Sequence, residues 1–111
     1  MDSTVFPDII WYHGSNLLFE ELRQGSTVTP LRALAEAFSH RPTLLCIEDD
    51  GSIIHNGAED GYLYVIDEKI SSGDVYPHPH TTMEPGMEYL TQRSLRVHLL
   101  CKLNSRQHKL L

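Results

Sequence analysis

The residues best suited to chemistry stand where an apolar run ends: Ile9-Ile10-Trp11-Tyr12 stops at His13, Gly14 and Ser15. Gly14 has no Cβ and lets the backbone come close to a ligand, while His13 offers a ring N–H or a lone pair beside it. Such a strand end is a candidate ligand site; taken alone, it also fits a histidine capping a strand before a turn. Two more segments carry polar groups in suggestive places. Ser26-Thr27-Val28-Thr29 sets hydroxyls ahead of a helix signal, and Glu88-Tyr89-Leu90 puts an acid at the opening of the last strand-like run.

Two other chemistries fit less well. His78-Pro79-His80 can offer two imidazoles to zinc, with His55 elsewhere, but spacing sets no third or fourth ligand and Cys46 falls in an apolar run that reads as a buried strand. No metal site is assigned. A serine hydrolase would need Ser15 on a nucleophile elbow with a base besides the adjacent His13, and the sequence offers neither.

The elements that must position these residues follow from pattern. Ile9 to Tyr12 reads as a buried strand, and Asn16 to Gln24 as a mixed turn or short helix before Gly25. Thr29-Pro30 is a helix start, with Thr29 as N-cap, Pro30 at the first helical position, and Leu31, Leu34, Ala35 and Phe38 on one face. His40-Arg41-Pro42 ends that helix, because a residue before proline is pushed out of the helical region. Asp49-Asp50-Gly51 between Leu44–Ile47 and Ser52–His55 reads as a hairpin. Tyr62 to Asp67 reads as a strand, Ser71 to Gly86 as a long Pro-, Gly- and His-bearing loop, and Glu88 to Leu103 as one or two closing strands.

With 111 residues the chain fits a single domain, 1–111. A net charge of −6 argues against a dedicated nucleic-acid binder, whose affinity comes from Lys and Arg releasing counterions. Arg93, Arg96, Lys102, Arg106 and Lys109 read as a solvated strand face and tail. Cys46 and Cys101 sit in apolar runs and read as small core hydrophobes in a reducing compartment. The stretch around Asp2 and Asp8 is not read as a secretory leader, and no segment has the length of a membrane span, so a cytoplasmic protein without a membrane partner is expected.

Taken in order, the three polar motifs resemble the ADP-ribosyltransferase superfamily, which cleaves NAD at the nicotinamide glycosidic bond, over roughly Ile10 to Leu103. The family's first strand ends in Tyr-His-Gly-Thr or Ser, matched by Tyr12, His13, Gly14 and Ser15. Its second strand leads into a helix with a small-residue face, matched by Ser26 to Phe38. Glu88-Tyr89-Leu90 looks like the Glu-Tyr-Ile start of poly(ADP-ribose) polymerases, while Gly61 to Ile66 and the later Thr91, Leu95, Arg96 and Val97 are similar to the compact rifampicin ADP-ribosyltransferases. There are departures. Ser26 or Thr27 stands where many relatives carry a tyrosine that stacks on nicotinamide, with Tyr62 or Tyr64 as replacements to consider. The rifampicin-modifying relatives do not place a Glu at the position of Glu88, so Asp60, Asp67 and Glu84 stay in view as alternative acids.

The resemblance implies an α+β fold, ADP-ribosyltransferase-like, with split, mostly antiparallel β-sheets and one or two short helices around an NAD crevice. It implies a mono-ADP-ribosyltransferase with NAD as co-substrate and a protein or small molecule as acceptor, a nucleic-acid acceptor being disfavoured by the charge. His13 and Glu88 are then catalytic, and Tyr12, His13, Gly14, Ser15, Ser26, Thr27, Tyr62 and Tyr64 are the cofactor-binding candidates. His13 would hydrogen-bond the adenosine ribose and the Gly14 main chain the nicotinamide carboxamide. A carboxylate is needed because breaking C1′–N develops oxocarbenium character on the ribose, and a fixed negative charge stabilises it. Nicotinamide leaves from a cationic state, so no general acid has to protonate it. Alternatives are a catalytically silent NAD, ADP-ribose or protein-binding module, and an NAD-dependent RNA 2′-phosphotransferase, for which the chain lacks a conspicuous Arg and Lys set.

Overall fold

A computed structural model describes residues 9–81 and 83–104. The strands are β1 (Tyr12–Ser15), β2 (Glu21–Leu22), β3 (Thr27–Val28), β4 (Leu45–Ile47), β5 (Ile53–His55), β6 (Gly61–Ile66), β7 (Val75–Pro77), β8 (Tyr89–Thr91) and β9 (Leu95–Leu103), with one helix, α1 (Arg32–Ser39). They pair antiparallel into a four-stranded sheet β1-β6-β9-β2, a three-stranded sheet β3-β8-β7 and the hairpin β4-β5. This is an α+β architecture of mostly antiparallel sheets with one short helix among the described residues. None of those residues forms a helix long and apolar enough to cross a membrane.

The two larger sheets meet at Tyr12, and the expected strand is corrected here: Ile9 and Ile10 are exposed and outside any strand, whereas β1 begins at Tyr12 and runs on through His13, Gly14 and Ser15 because these residues pair with β6. Tyr12 N–H donates to the Thr29 carbonyl at 2.8 Å and Thr29 N–H returns to the Tyr12 carbonyl at 3.0 Å, while Tyr12 also stands opposite Val65, so the start of β1 lies between β6 and the segment just past β3. Apolar residues of both sheets fill one core: Trp11, Leu22, Val28, Ile66, Ile70, Val75 and Leu95, with Phe19, Tyr89 and Val97 packed against it. Trp11 meets Tyr89 edge to face at 4.9 Å. Along β6 the pleat sends alternate residues to opposite faces, so Leu63 joins Ala35 and Leu103 in a second cluster that seats α1, while Ile66 enters the first. At the other end, Arg93 bridges Glu68 and Asp74 at 2.9 Å each, and this ion pairing holds the Asp74 carboxyl below the usual carboxylate range.

Several expectations are corrected. The helix starts at Arg32 with Leu31 as N-cap, not at Thr29 and Pro30, because the Thr29 backbone is committed to Tyr12. Asn16 to Gln24 holds the strand β2, paired with β9, and not a helix. The 71–86 segment holds the edge strand β7, where Pro77 is tolerated beside β8. Cys46 is exposed on the hairpin, not buried; Cys101 is half-buried against the second cluster. The helix does end at His40, yet Arg41 takes φ +55°, left-handed and not extended. The basic residues Arg93, Arg96 and Lys102 are exposed, as a solvated face requires, with Arg93 in the ion pairs above and Lys102 at 4.0 Å from Asp60, while Arg106, Lys109, Asp2 and Asp8 lie outside the described residues.

Candidate functional site

A cleft of about 260 Å³ opens where β1, β3, α1 and the start of β8 converge, lined by Tyr12, His13, Gly14, Ser15, Thr27, Thr29, Ala35, Phe38, Arg41 and Glu88. His13 and Glu88, from opposite ends of the chain, therefore share one cavity. Of the residues selected from sequence, Tyr12, His13, Gly14, Ser15, Thr27 and Glu88 come together here. Ser26, Tyr62 and Tyr64 do not. Ser26 serves a turn, its hydroxyl donating to the Arg23 carbonyl at 2.6 Å. Tyr64 is fully buried, stacked on Phe19 at 4.6 Å, its hydroxyl donating to the Leu17 carbonyl, so it cannot form a ligand platform. Of the alternative acids, Asp60, Asp67 and Glu84 are all absent from the cleft's lining.

His13 is fixed by its surroundings. Its Nδ1 lies 2.6 Å from the Thr27 carbonyl; a carbonyl only accepts, so Nδ1 carries the proton and neutral His13 keeps a bare lone pair at Nε2. Phe19 and Tyr64 flank the ring at 5.7 and 6.3 Å between centroids. Burial lowers the His13 pKa below its ordinary value of 6.5, opposed in part by the Thr27 bond. At neutral pH the ring is thus a hydrogen-bond acceptor at Nε2. Because the folded state resists protonation while the unfolded chain takes up a proton near pH 6.5, stability contributed by this site falls as pH drops below about 6.5 toward the lower folded value. Melting temperatures measured between pH 7.5 and 5 should fall less steeply for His13→Gln than for the parent; parallel curves would show that His13 titrates normally.

Glu88 is oriented by Thr81, whose hydroxyl donates to its carboxylate at 2.6 Å, and its own main-chain carbonyl accepts from His78 N–H at 3.0 Å. Ser15 Oγ accepts from Leu17 N–H at 3.1 Å, which turns the chain out of β1 and leaves no nucleophile geometry with His13. His78 and His80 meet at 6.4 Å between rings, and among the described residues no three His, Cys, Asp or Glu side chains gather to hold a metal ion.

The structure adds four lining residues that were not selected from sequence, Thr29, Ala35, Phe38 and Arg41, of which the last two change the chemistry. Phe38, read as part of the helix's core face, turns into the cleft and with Tyr12 gives it aromatic walls. Arg41 supplies the lining's one guanidinium, from a left-handed backbone that costs an L-residue about 1–2 kcal/mol. Strained non-glycine residues often mark functional positions. Arg41→Gly should therefore raise the melting temperature by a few degrees, read by thermal unfolding; an unchanged melting temperature would mean that this turn stores no strain.

No protein-family model, curated protein or solved structure matches this chain. Fold and site together define a small α+β protein whose cleft holds a neutral imidazole, a guanidinium and an oriented carboxylate between aromatic walls.

Proposed function

We propose that this chain is a mono-ADP-ribosyltransferase that takes NAD into the β1 cleft, cleaves the nicotinamide glycosidic bond and passes ADP-ribose to an acceptor. The observation that carries the reading is the meeting of His13 and Glu88 in one cavity. His13 Nε2 accepts a ribose hydroxyl, and the main chain at Gly14 holds the nicotinamide carboxamide. Tyr12 and Phe38 give the aromatic surface that a second-motif tyrosine supplies in relatives, and Arg41 faces the diphosphate. Glu88 stabilises the positive charge that grows on the ribose as C1′–N breaks and the bonding pair leaves with neutral nicotinamide. The nucleophile then bonds to C1′ and loses its proton to water. A cleft of about 260 Å³ lies just below the usual range for small-molecule sites, so it holds the reacting end of NAD and leaves the remainder along its open side. The unpaired cysteines fit a reducing, cytoplasmic setting.

A silent nucleotide-binding module is the second reading, favoured by the hydroxyl residues that replace the stacking tyrosine. Chromatographic measurement of nicotinamide released from NAD separates the two: time-dependent release supports the transferase, and saturable binding without release supports the module. The RNA 2′-phosphotransferase reading is weaker, since among the described residues Arg41 is the one cation that lines the cleft.

A further inference from the structure

A second cavity, of about 490 Å³, lies between the β4-β5 hairpin and the turn that leads to Glu88, lined by Leu45, Cys46, Ile47, Glu48, Asp49, Gly51, Met83, Glu84 and Met87. Its size falls within the range of small-molecule sites. Leu45, Ile47, Met83 and Met87 give it an apolar body, and methionine adapts to irregular shapes. Among the described residues every charged one in the lining is an acid, and no ion pair engages Glu48, Asp49 or Glu84. The Cys46 thiol donates to Glu48 at 3.5 Å, an interaction that raises its pKa and keeps it protonated, so it adds no competing reactive thiolate. Met87 and Glu88 are consecutive, one lining this cavity and the other the β1 cleft, so neighbouring residues of one segment serve the two spaces.

We infer that this cavity binds a small apolar cation, an ammonium or guanidinium carried on a hydrophobic ring or chain, and, on the transferase reading above, that this molecule is the ADP-ribose acceptor. The apolar body packs on the two methionines while the acids hold the cationic end at the rim. A hydroxyl on the same molecule reaches past Met87 to C1′; its oxygen pair forms the new bond as the C1′–N pair departs with nicotinamide, and its proton goes to Glu88 and then to water.

Tyramine and its uncharged analogue 4-propylphenol test this, with binding read from the ¹³C-methyl signals of Met83 and Met87. Tyramine should shift both signals and bind about tenfold tighter than 4-propylphenol, the sum expected from a few solvent-exposed charge contacts, and the ratio should fall toward one in the Glu48→Gln, Asp49→Asn, Glu84→Gln variant and at high salt. Equal affinities, or no shift of either methyl, would overturn the site. This arm needs no NAD, so it stands or falls apart from the transferase reading. In protein that does consume NAD, tyramine should gain the mass of ADP-ribose or raise the rate of nicotinamide release; binding without either effect would remove the acceptor role.

Discussion

Glu88→Gln should slow nicotinamide release from NAD by at least about a hundredfold and leave NAD affinity within a few-fold of the parent. The rate effect follows from where charge develops: a carboxylate aimed at a forming oxocarbenium ion acts mainly in the transition state, and losing one such preorganised group typically costs a factor of 10²–10³. Glutamine is the informative choice. Its carbonyl oxygen can still accept the Thr81 hydroxyl that now bonds Glu88 at 2.6 Å, and the main-chain bond from His78 is untouched. The turn entering β8 keeps its support, so a slow variant with normal melting temperature reports on charge and not on folding. Turnover that survives would remove Glu88 from the reaction, and none of Asp60, Asp67 or Glu84 lines the cleft to replace it. Loss of binding together with turnover would instead make Glu88 a structural acid.

The elements that local chemistry determines were legible in the residues themselves. Tyr62 to Asp67 reads as a strand from its aromatic and branched content and is β6; Asp49-Asp50-Gly51 reads as a hairpin turn, and Gly51 takes φ +87° between β4 and β5. What escaped was decided by distant partners. β2 is two residues long and exists only because β9 offers it a ladder, and β7 forms beside β8 despite a segment rich in proline and histidine. Thr29 and Pro30 carry a sound helix-start signal, yet reciprocal bonds with Tyr12 hold Thr29 in extended backbone and delay the helix to Arg32. The same division runs through the cleft. His13 and Glu88 are legible as polar residues beside apolar runs, although His13 lies inside β1 and not past a strand's end, whereas Phe38 and Arg41 enter only through the seating of α1 and a left-handed turn that no spacing encodes.

Gly14→Ala should lower the melting temperature by roughly 10 °C or more and abolish nucleotide binding with it. The sequence suggests that Gly14 is small so that a ligand can approach; the packing gives a different physical cause. A Cβ built at Gly14 would lie 1.7 Å from the Ala35 carbonyl oxygen and 2.9 Å from the Ser39 nitrogen, both backbone atoms of α1. Backbone cannot rotate aside as a side chain can, so the helix must move off β1. A Cβ added at Gly61 or Gly57 would likewise lie 2.2 Å from the Ser39 hydroxyl or 2.6 Å from the His40 Cβ, so the C-terminal end of α1 packs against three glycines and has little slack to move into. Overpacking commonly costs about 1–3 kcal/mol, and displacing a helix backbone belongs at or above the upper end, where each kcal/mol is worth about 4–8 °C in a domain of this size. The shift would also carry Ala35 away from Leu63 and Leu103 and swing Phe38 and Arg41 out of the cleft. Thermal unfolding and an NAD titration distinguish the two causes. A Gly14→Ala protein that melts like the parent but no longer binds NAD would mean that the glycine serves the ligand alone, and that α1 sits farther from β1 than a 1.7 Å clash requires.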